Sequence, residues 1–458
     1  MSTFLGGMLI SLAAMFPITH SADKRYLVDR SGKPFPILGR TSWFVLSLSR
    51  QDYQRYVDDT VAKGFNSVEM HVLNHDPRGS HPPFDGEGNA PFARRLDGSN
   101  WNGSLDYKKV GEEAPDFTKP SEPYWYFVDQ FLDCCQTKGV LVFLFPAYVG
   151  FAGQEQGWMK ELVANGPDRA FSYGQWIARR LAKRPNIVWM LGGDMGQFTP
   201  EQLKVEVALA EGLKSVPNQQ SKQFCAEWNS ESIAKDQSDL GKYMTLNGAY
   251  SWEGFVNRQA RRAYAYQPAI PSFLLEEPYD EEGPDGNSVN PHATQPVRRF
   301  QWMGVLGAIG GYISGNGYIW PFRKDEWQKH LNTPGAEDMA HLNAFWKAVN
   351  WWDLVPSGLN GMRVLVEDNA PEADKAYVSA AATPDGRLLV AYIPPAHLGP
   401  VKLDLTVMQG KPHAEWFNPT TGKRTSIGEL EGGRSLKLSP PGENGSGFSD
   451  WVLVVRSK

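Results

Sequence analysis

The chain has 458 residues, of which 41% are hydrophobic and 21% charged, a composition that excludes disorder as the dominant state. Because single hydrophobic cores stop growing near about 250–300 residues, this length predicts a large domain together with a smaller one. The net charge of −5 gives no electrostatic reason to expect a nucleic-acid partner.

The N-terminus carries an apolar stretch from Phe4 to Ile18, and small Ala22 precedes a charged run that starts at Asp23. This order is typical of a secretory signal peptide, here over residues 1–22, although no Lys or Arg precedes the apolar stretch. We therefore expect a secreted or periplasmic protein, and the alternative is an ordinary buried segment. No other stretch approaches the length of a membrane-spanning helix, so no membrane span is expected.

The cysteines and histidines do not form a metal-binding pattern. Cys134, Cys135 and Cys225 make neither a CxxC pair nor a Cys/His cluster, so a structural zinc site is not expected. The pair His75 and Asp76 lacks further ligands close by in the sequence. We expect three buried thiols, no metal and no cofactor.

Short apolar runs alternate with longer amphipathic segments between about residue 36 and residue 320. The apolar runs predict eight strands, at residues 36–38 (leading to Trp43), 66–73, 140–145, 186–191, 222–226, 243–246, 272–275 and 307–314. Helical patterns such as 51–63 and 124–138 lie between them and end at a glycine. Eight such units predict an α/β fold, a (β/α)₈ TIM barrel. A doubly wound open sheet is the alternative, but no GxGxxG motif follows any strand.

Residues 75–123 interrupt this alternation with a segment rich in Gly, Pro, Asn and Asp. It lies between the second and third predicted strands, which places it on the catalytic face of a barrel. Two interpretations are open: a lid or cleft wall that carries Phe84, Phe92 and Trp101, or a passive insertion.

The pattern changes after Trp352 to short strands separated by turns. The predicted strands are 376–382, 387–393, 401–407, 413–417 and 451–456. They predict a small antiparallel β-sandwich over residues 356–458, after a catalytic domain over residues 23–355. No long linker separates the two domains, so we expect them to pack together.

Two carboxylates follow predicted barrel strands, where reactive groups of a TIM barrel lie. Asp194 follows Gly192-Gly193 after strand four, and Glu276 follows strand seven. Glycosidic cleavage needs such a pair, because one carboxyl protonates the leaving oxygen while the other attacks or activates water. The alternative is structural, with Asp194 as a turn residue and Glu276 on a solvated loop edge.

Aromatic and polar residues near the other strand ends are candidates for sugar contacts. Aromatic rings can stack on sugar faces, and amides or imidazoles can bond hydroxyl groups, although core packing is the common role of aromatic residues. The candidate substrate-binding residues are Trp43, His75, Tyr148, Trp228, Tyr250, Tyr279, Asn316 and Trp320.

Several motifs are shared in order with a known family. They include residues 38–44, 63–66, 186–194, Glu276 with Tyr279, 315–317 with Trp320, and in the last domain 414–419 and 450–454. On these motifs the chain resembles the apiosidase-like glycoside hydrolases, which join a TIM-barrel catalytic domain to a collagen-binding-type β-sandwich. The resemblance covers nearly the whole mature chain, and its most specific parts are residues 186–194 and the end of the sandwich.

The resemblance implies that Asp194 is the acid/base and Glu276 the nucleophile, because Tyr279 lies three residues after Glu276 as in the family motif. Glu277 is the alternative nucleophile. Arg40 replaces the acidic residue usual in the family, and the loops 227–229 and 247–250 also differ. These departures leave the sugar open, so apiose is not assumed.

We therefore expect a glycoside hydrolase that acts on a plant or microbial polysaccharide or oligosaccharide, with retention of configuration. Retention requires the two carboxyl groups to lie about 5–5.5 Å apart, and inversion requires roughly 6.5–9.5 Å. The alternative function is a non-catalytic carbohydrate- or matrix-binding protein that uses the same cleft.

Overall fold

The computed structural model describes residues 15–105, 113–252, 256–276, 278–283, 294–323, 326–366, 370–430 and 435–457. Its first element is a three-stranded antiparallel sheet of β1 (Thr19–His20), β2 (Leu27–Val28) and β3 (Pro34–Phe35). Just before β1, Phe16 and Ile18 are 2% and 5% exposed and pack into the core of the barrel. A chain cut after Ala22 would therefore lack part of this packing.

Eight parallel strands form the barrel, which confirms the predicted fold. They are β4 (Ile37–Thr41), β5 (Ser67–His71), β6 (Leu141–Phe145), β7 (Ile187–Gly192), β8 (Gln223–Glu227), β10 (Asn247–Tyr250), β11 (Ser272–Leu275) and β12 (Ile309–Ser314). The sheet runs in the order β8-β7-β6-β5-β4-β12-β11-β10, and the short β9 (Ser232–Ile233) adds antiparallel to β10. Near the closure, the N–H groups of Thr245 and Leu246 donate to the carbonyl of Phe224 at 2.9 and 3.0 Å.

Helices surround the barrel, and their ends follow ordinary capping chemistry. They are α1 (Arg50–Ala62), α2 (Glu122–Thr137), α3 (Met159–Arg180), α4 (Pro200–Lys214), α5 (Val256–Ala265), α6 (Thr294–Ala308) and α7 (Pro334–Lys347). Helix α4 starts with a capping box, in which Thr199 and Gln202 each satisfy the other's backbone N–H. Helix α1 ends just before Gly64, whose φ of +78° suits glycine.

The sixth barrel strand lies four residues later than predicted. The sequence predicts the strand at 243–246 and a loop at 247–250, whereas β10 occupies Asn247–Tyr250. At Gly248 a Cβ atom would lie 3.1 Å from both Cys225 Sγ and Leu275 Cδ2. Close packing between neighbouring strands therefore requires a small residue here, and small residues weaken the hydrophobic pattern.

The C-terminal region forms two antiparallel sheets. One has the order β13-β14-β15-β20-β17-β18, and the other pairs β16 with β19. The strands are β13 (Val355–Pro356), β14 (Ser379–Ala382), β15 (Leu388–Ile393), β16 (Val401–Asp404), β17 (His413–Phe417), β18 (Arg424–Glu429), β19 (Ser435–Leu438) and β20 (Trp451–Arg456). Strands β18 and β19 were missed; β18 is mostly exposed and polar, so it lacks a hydrophobic alternation.

A buried ion cluster joins the sandwich to the barrel. Arg298 of α6, 1% exposed, donates to Asp450 at 2.7 and 2.8 Å and to Asp338 of α7 at 2.6 Å. Tyr392 of the sandwich also donates to Asp450, at 2.9 Å. The ring of Tyr392 stacks on Trp302 of α6 at 6.2 Å. The two regions therefore share a packed interface.

The insertion after β5 packs inward. Phe92 and Trp101 are 1% and 5% exposed, and Phe92 stacks on Phe117 at 4.6 Å. The rings of Phe92 and Trp101 therefore stabilise the insertion and do not line a cleft. Phe84 is half-buried. Residues 106–112 of this segment lie outside the described residues.

The cysteines and the helices bear on two further expectations. Cys135 and Cys225 are buried free thiols as expected, whereas Cys134 is only partly buried. Within the described ranges, the structure contains no helix that is both long and apolar enough to cross a bilayer.

Candidate active site

Asp194 and Glu276 meet at the mouth of the barrel. Asp194 follows β7, Glu276 follows β11, and the Tyr250 hydroxyl at the end of β10 lies between them. Tyr250 donates to Asp194 Oδ1 at 3.3 Å, and the same hydroxyl is close enough to the Glu276 carboxyl to lower its pKa. Glu276 is only 7% exposed, so it does not lie on a solvated loop edge.

The backbone before Asp194 forms a strained turn. Gly192, Gly193 and Asp194 all have positive φ, at +78°, +125° and +52°. A Cβ at Gly193 would lie 2.3 Å from the Tyr148 ring, and one at Gly192 would lie 2.2 Å from the Glu227 carbonyl oxygen. Both glycines are therefore needed to bring Asp194 into the mouth.

Neighbouring elements hold this turn by hydrogen bonds. The carboxylate of Glu206, on α4, accepts the Gly192 N–H at 2.9 Å, and the Glu227 carbonyl accepts the Gly193 N–H at 2.8 Å. Glu206 is fully buried, and burial raises its pKa to about 7. Sequence reasoning missed Glu206. In the sequence, the only indication of the role of Glu206 is that an acidic residue occupies a position of α4 that faces the sheet.

Glu276 is held by a chain of donors. The Tyr279 hydroxyl donates to Glu276 Oε1, and Trp43 Nε1 donates to the Tyr279 hydroxyl at 2.9 Å. Hydrogen bonds of this kind favour the ionised carboxylate. Burial outweighs them and, together with the charge of Asp194, raises the pKa of Glu276 to about 8.

Asp194 has fewer donors and lies nearer to solvent than Glu276. Burial raises its pKa to about 6, while the Tyr250 hydrogen bond and the charge of Arg78 act in the opposite direction. A carboxyl whose pKa is raised toward neutrality can both donate and accept a proton there, which is what an acid/base residue requires.

Aromatic rings surround the two carboxyls. The His71 ring stacks between Trp43 at 4.5 Å and Tyr148 at 4.0 Å. Burial, followed by the charge of Arg78, holds the pKa of His71 well below its usual value, so the imidazole is neutral. The Arg78 guanidinium lies over the Trp320 ring at 4.7 Å.

Five of the eight predicted contact residues thus lie around the carboxyl pair, namely Trp43, Tyr148, Tyr250, Tyr279 and Trp320.

The other three have structural partners, and the ring of one of them, Trp228, packs against Gly192 in the turn before Asp194. His75, 1% exposed, contacts the Glu155 carbonyl at 2.7 Å and the Glu161 carboxyl at 2.8 Å. Trp228, also 1% exposed, donates to the Ala234 carbonyl at 3.0 Å.

Asn316 is the third residue outside the cluster. Its amide donates to Asp280 at 3.2 Å and to Glu281 at 3.1 Å, and its oxygen accepts the Tyr318 N–H at 2.9 Å. These bonds fix the loop after β12, so the structure gives Asn316 a role in the loop.

Two residues at the mouth were not predicted. His71 is the last residue of β5, but the apolar run extends to Leu73, so the strand end was placed two residues too late. Arg78 reaches the site from the start of the insertion, where Asp76 holds it by contacts of 2.6–3.0 Å. No sequence signal distinguished Arg78 from other surface arginines.

Arg40 lies away from the mouth. Its side chain, 6% exposed, points toward α1 and pairs with Asp59 at 2.7 Å. The Arg40 guanidinium also lies over the Tyr56 ring at 4.9 Å. Arg40 differs from the family pattern, but it therefore adds no positive charge beside Asp194 and Glu276. Glu277, the alternative nucleophile, lies outside the described residues.

Two further carboxyls, Glu69 of β5 and Glu227 of β8, are buried within electrostatic reach of Glu276. Neither side chain is solvent-exposed, and none of their carboxyl oxygens has a hydrogen-bond partner of normal geometry. Burial, and then the charge of Glu276, raises the pKa of each well above its usual value. Among the described side chains, no group of three or more His, Cys, Asp and Glu could hold a metal ion.

Comparison with protein families gives two matches that together span most of the chain. The apiosidase-like catalytic domain matches residues 21–353. The domain described as "Putative collagen-binding domain of a collagenase" matches residues 362–456.

Solved structures give a consistent result. A structure named "Glycoside hydrolase" is 20% identical, with a TM-score of 0.74 and coverage of 97% of each chain. A glycoside hydrolase family 5 structure from Bacteroides vulgatus is also 20% identical, with a TM-score of 0.73 and coverage of 96% of this chain and 93% of the other. Such low identity shows a shared fold only. No curated protein matches the chain.

Proposed function

The chain belongs to the apiosidase-like glycoside hydrolases, and we propose that it cleaves a plant or microbial polysaccharide with retention of configuration, using Asp194 and Glu276. The observation that carries this proposal is the position of the two carboxyls at one barrel mouth, where the charge of Asp194 acts on Glu276 and the Tyr250 hydroxyl donates to Asp194. Two carboxyls across a barrel mouth are what glycosidic cleavage requires.

The surroundings of the two residues support their separate roles. Tyr279 donates directly to Glu276 and is itself oriented by Trp43, so these hydrogen bonds favour the ionised form needed for nucleophilic attack and oppose the larger effect of burial. Asp194 accepts one longer bond of 3.3 Å from Tyr250. In the proposed reaction Asp194 protonates the leaving oxygen while Glu276 attacks the anomeric carbon. Asp194 then deprotonates the water that releases the sugar.

Activity is expected to follow a bell-shaped pH profile. The pKa of Asp194 is raised to about 6 and that of Glu276 to about 8, and two interacting carboxyls titrate as a pair. Between these values the pair holds one proton, which the individual pKa values place mostly on Glu276, and the proposed reaction proceeds from the form in which that proton lies on Asp194. A second proton below about pH 6 neutralises the nucleophile, and loss of the last proton above about pH 8 removes the acid. Measuring kcat/KM from pH 4 to pH 10 checks this, and a profile with a single limb would contradict it.

A non-catalytic binding protein is the weaker alternative. One reason for considering it was Arg40, and this residue is paired with Asp59 on the outer side of β4. The loop that differs at 247–250 is strand β10 itself, and its Tyr250 donates to Asp194. The departures at Arg40 and at 247–250 are therefore compatible with hydrolysis.

Export stays a prediction, supported by the apolar stretch that ends at Ile18. Phe16 and Ile18 are buried in the barrel core, so the position of any cleavage determines whether this packing is kept.

Sugar release tests the proposed function. Pectic polysaccharides, arabinans and other plant and microbial polysaccharides are incubated with the wild type, Asp194→Ala and Glu276→Ala, and the anomer of the first product is read by proton NMR. We expect release by the wild type alone, with retained configuration. Undiminished release by Glu276→Ala would move the nucleophile to Glu277 or another residue, and inverted product would refute the retaining mechanism.

A further inference from the structure

An exposed aromatic ring lies beside the acid/base. Phe151 follows β6 in the short 3₁₀ turn Phe151–Gly153 and is 54% exposed. Four large hydrophobic side chains are exposed in the described part of the chain, namely Tyr126, Phe151, Leu398 and Phe448. Phe151 differs from the others because it lies in a strand-to-helix loop on the catalytic face of the barrel.

The loop that carries Phe151 is tied to the backbone of Asp194. The Ala152 N–H donates to the Asp194 carbonyl at 3.2 Å, and the Val149 N–H donates to the Gly192 carbonyl at 3.1 Å. Within the loop, the Gly153 N–H bonds the Gly150 carbonyl at 2.8 Å. Phe151 is therefore one residue away from a direct contact with the acid/base turn.

The backbone conformation around Phe151 is costly. Ala152 has a φ of +51° and its neighbours Gly150 and Gly153 have φ of +87° and +69°. An alanine adopts this left-handed region only when the surrounding structure imposes it. The turn thus holds a large apolar ring toward solvent at a fixed place, although exposing such a ring to water is unfavourable.

The position relative to Asp194 indicates which part of a substrate this ring would meet. A general acid lies next to the leaving oxygen, so the loop beside Asp194 borders the leaving side of the scissile bond. The tryptophans among the candidate sugar-contact residues, Trp43, Trp228 and Trp320, are only 5%, 1% and 5% exposed and offer no open face.

We propose that Phe151 is the apolar platform of a subsite for the sugar ring on the leaving side of the scissile bond. The ligand is a neutral sugar face made of C–H groups, which packs on the phenyl ring and removes it from water. This proposal rests on the role of Asp194 proposed above.

The test compares two leaving groups. The first substrate is the polysaccharide that the wild type cleaves in the panel, and the second is the glycosyl fluoride of the sugar it releases, whose leaving group has no ring. Phe151→Ala is expected to lower kcat/KM on the polysaccharide by roughly tenfold or more and to leave hydrolysis of the fluoride unchanged. Phe151→Trp should restore the polysaccharide activity. Tyr126→Ala, which removes a ring that is 56% exposed on α2, should change neither.

Equal loss on both substrates, or no loss on the polysaccharide, would overturn the subsite. A second measurement, of binding, tests the platform independently of catalytic turnover. Retardation of the wild type, Phe151→Ala and Tyr126→Ala is compared in native gels that contain each polysaccharide. Retardation without cleavage, lost only in Phe151→Ala, would refute hydrolysis and still support the platform. A wild type that is neither retarded by nor active on any of them would overturn both proposals.

Discussion

Replacing Glu276 by glutamine is expected to lower kcat by at least about 10³-fold, whatever the leaving group of the substrate. The amide keeps the volume of the side chain and can accept the Tyr279 hydrogen bond, but it cannot attack the anomeric carbon. The measurement is kcat on the cleaved polysaccharide and on a nitrophenyl glycoside of the released sugar. Loss on the polysaccharide alone would contradict the nucleophile assignment.

A second variant, Asp194→Asn, tests the role of Asp194 as the general acid. A nitrophenolate leaves without a proton, so the variant should lose far more activity on the polysaccharide than on the nitrophenyl glycoside. Glu161→Gln serves as a control, because it alters a buried carboxyl that bonds His75 outside the carboxyl pair. We expect the control to keep near wild-type activity on both substrates.

Replacing Arg298 by methionine is expected to lower the free energy of unfolding by about 3–5 kcal/mol. The guanidinium is 1% exposed and bonds Asp450 of the sandwich and Asp338 of the barrel domain. Without it, both carboxyls remain in a dry interface with their main cationic partner removed. Burial already raises the pKa of Asp338 to about 7 with Arg298 present. Urea unfolding followed by circular dichroism measures the change.

The matched control for Arg298 is Arg387→Met. The Arg387 side chain is 68% exposed and lies 3.6 Å from Asp385, so its loss should leave stability nearly unchanged. If both variants unfold at the same urea concentration as the wild type, the buried ion cluster does not hold the two regions together.

The fold was predictable because its strands are mostly apolar. Strands β6, β7 and β11 are buried throughout, and their sequences are continuous apolar runs or nearly so. Prediction failed at β10, where close packing against the neighbouring strands favours glycine at position 248 and so weakens the hydrophobic pattern. It also failed at β18, where exposure favours polar residues.

The carboxyl pair was predictable for a related reason. The carboxyl ends of the parallel strands lie on one face of a barrel. The sequence alone therefore predicts that Asp194 and Glu276 lie at the same mouth. The sequence does not show in the same way whether a side chain just beyond a strand end points into the barrel mouth or away from it. Trp228 and Trp320 follow strands alike, yet one donates to the Ala234 carbonyl and the other lies under Arg78.

Residues that act through tertiary contacts were not predictable. Glu206 holds the Gly192 N–H from a helix behind the sheet, and Arg78 reaches the mouth from an irregular insertion. Phe151 is exposed because of the backbone conformation of its loop. None of these placements follows from composition or periodicity.

The roles of Asp194 and Glu276 are tested most directly by azide rescue on a nitrophenyl glycoside of the released sugar. In Glu276→Ala, azide can fill the space of the lost carboxyl and attack the anomeric carbon from that face, so we predict a glycosyl azide of inverted configuration. In Asp194→Ala the glycosyl-enzyme still forms, and azide should release it with retained configuration. The opposite pairing of products, or full activity of Glu276→Ala without azide, would contradict the assignment.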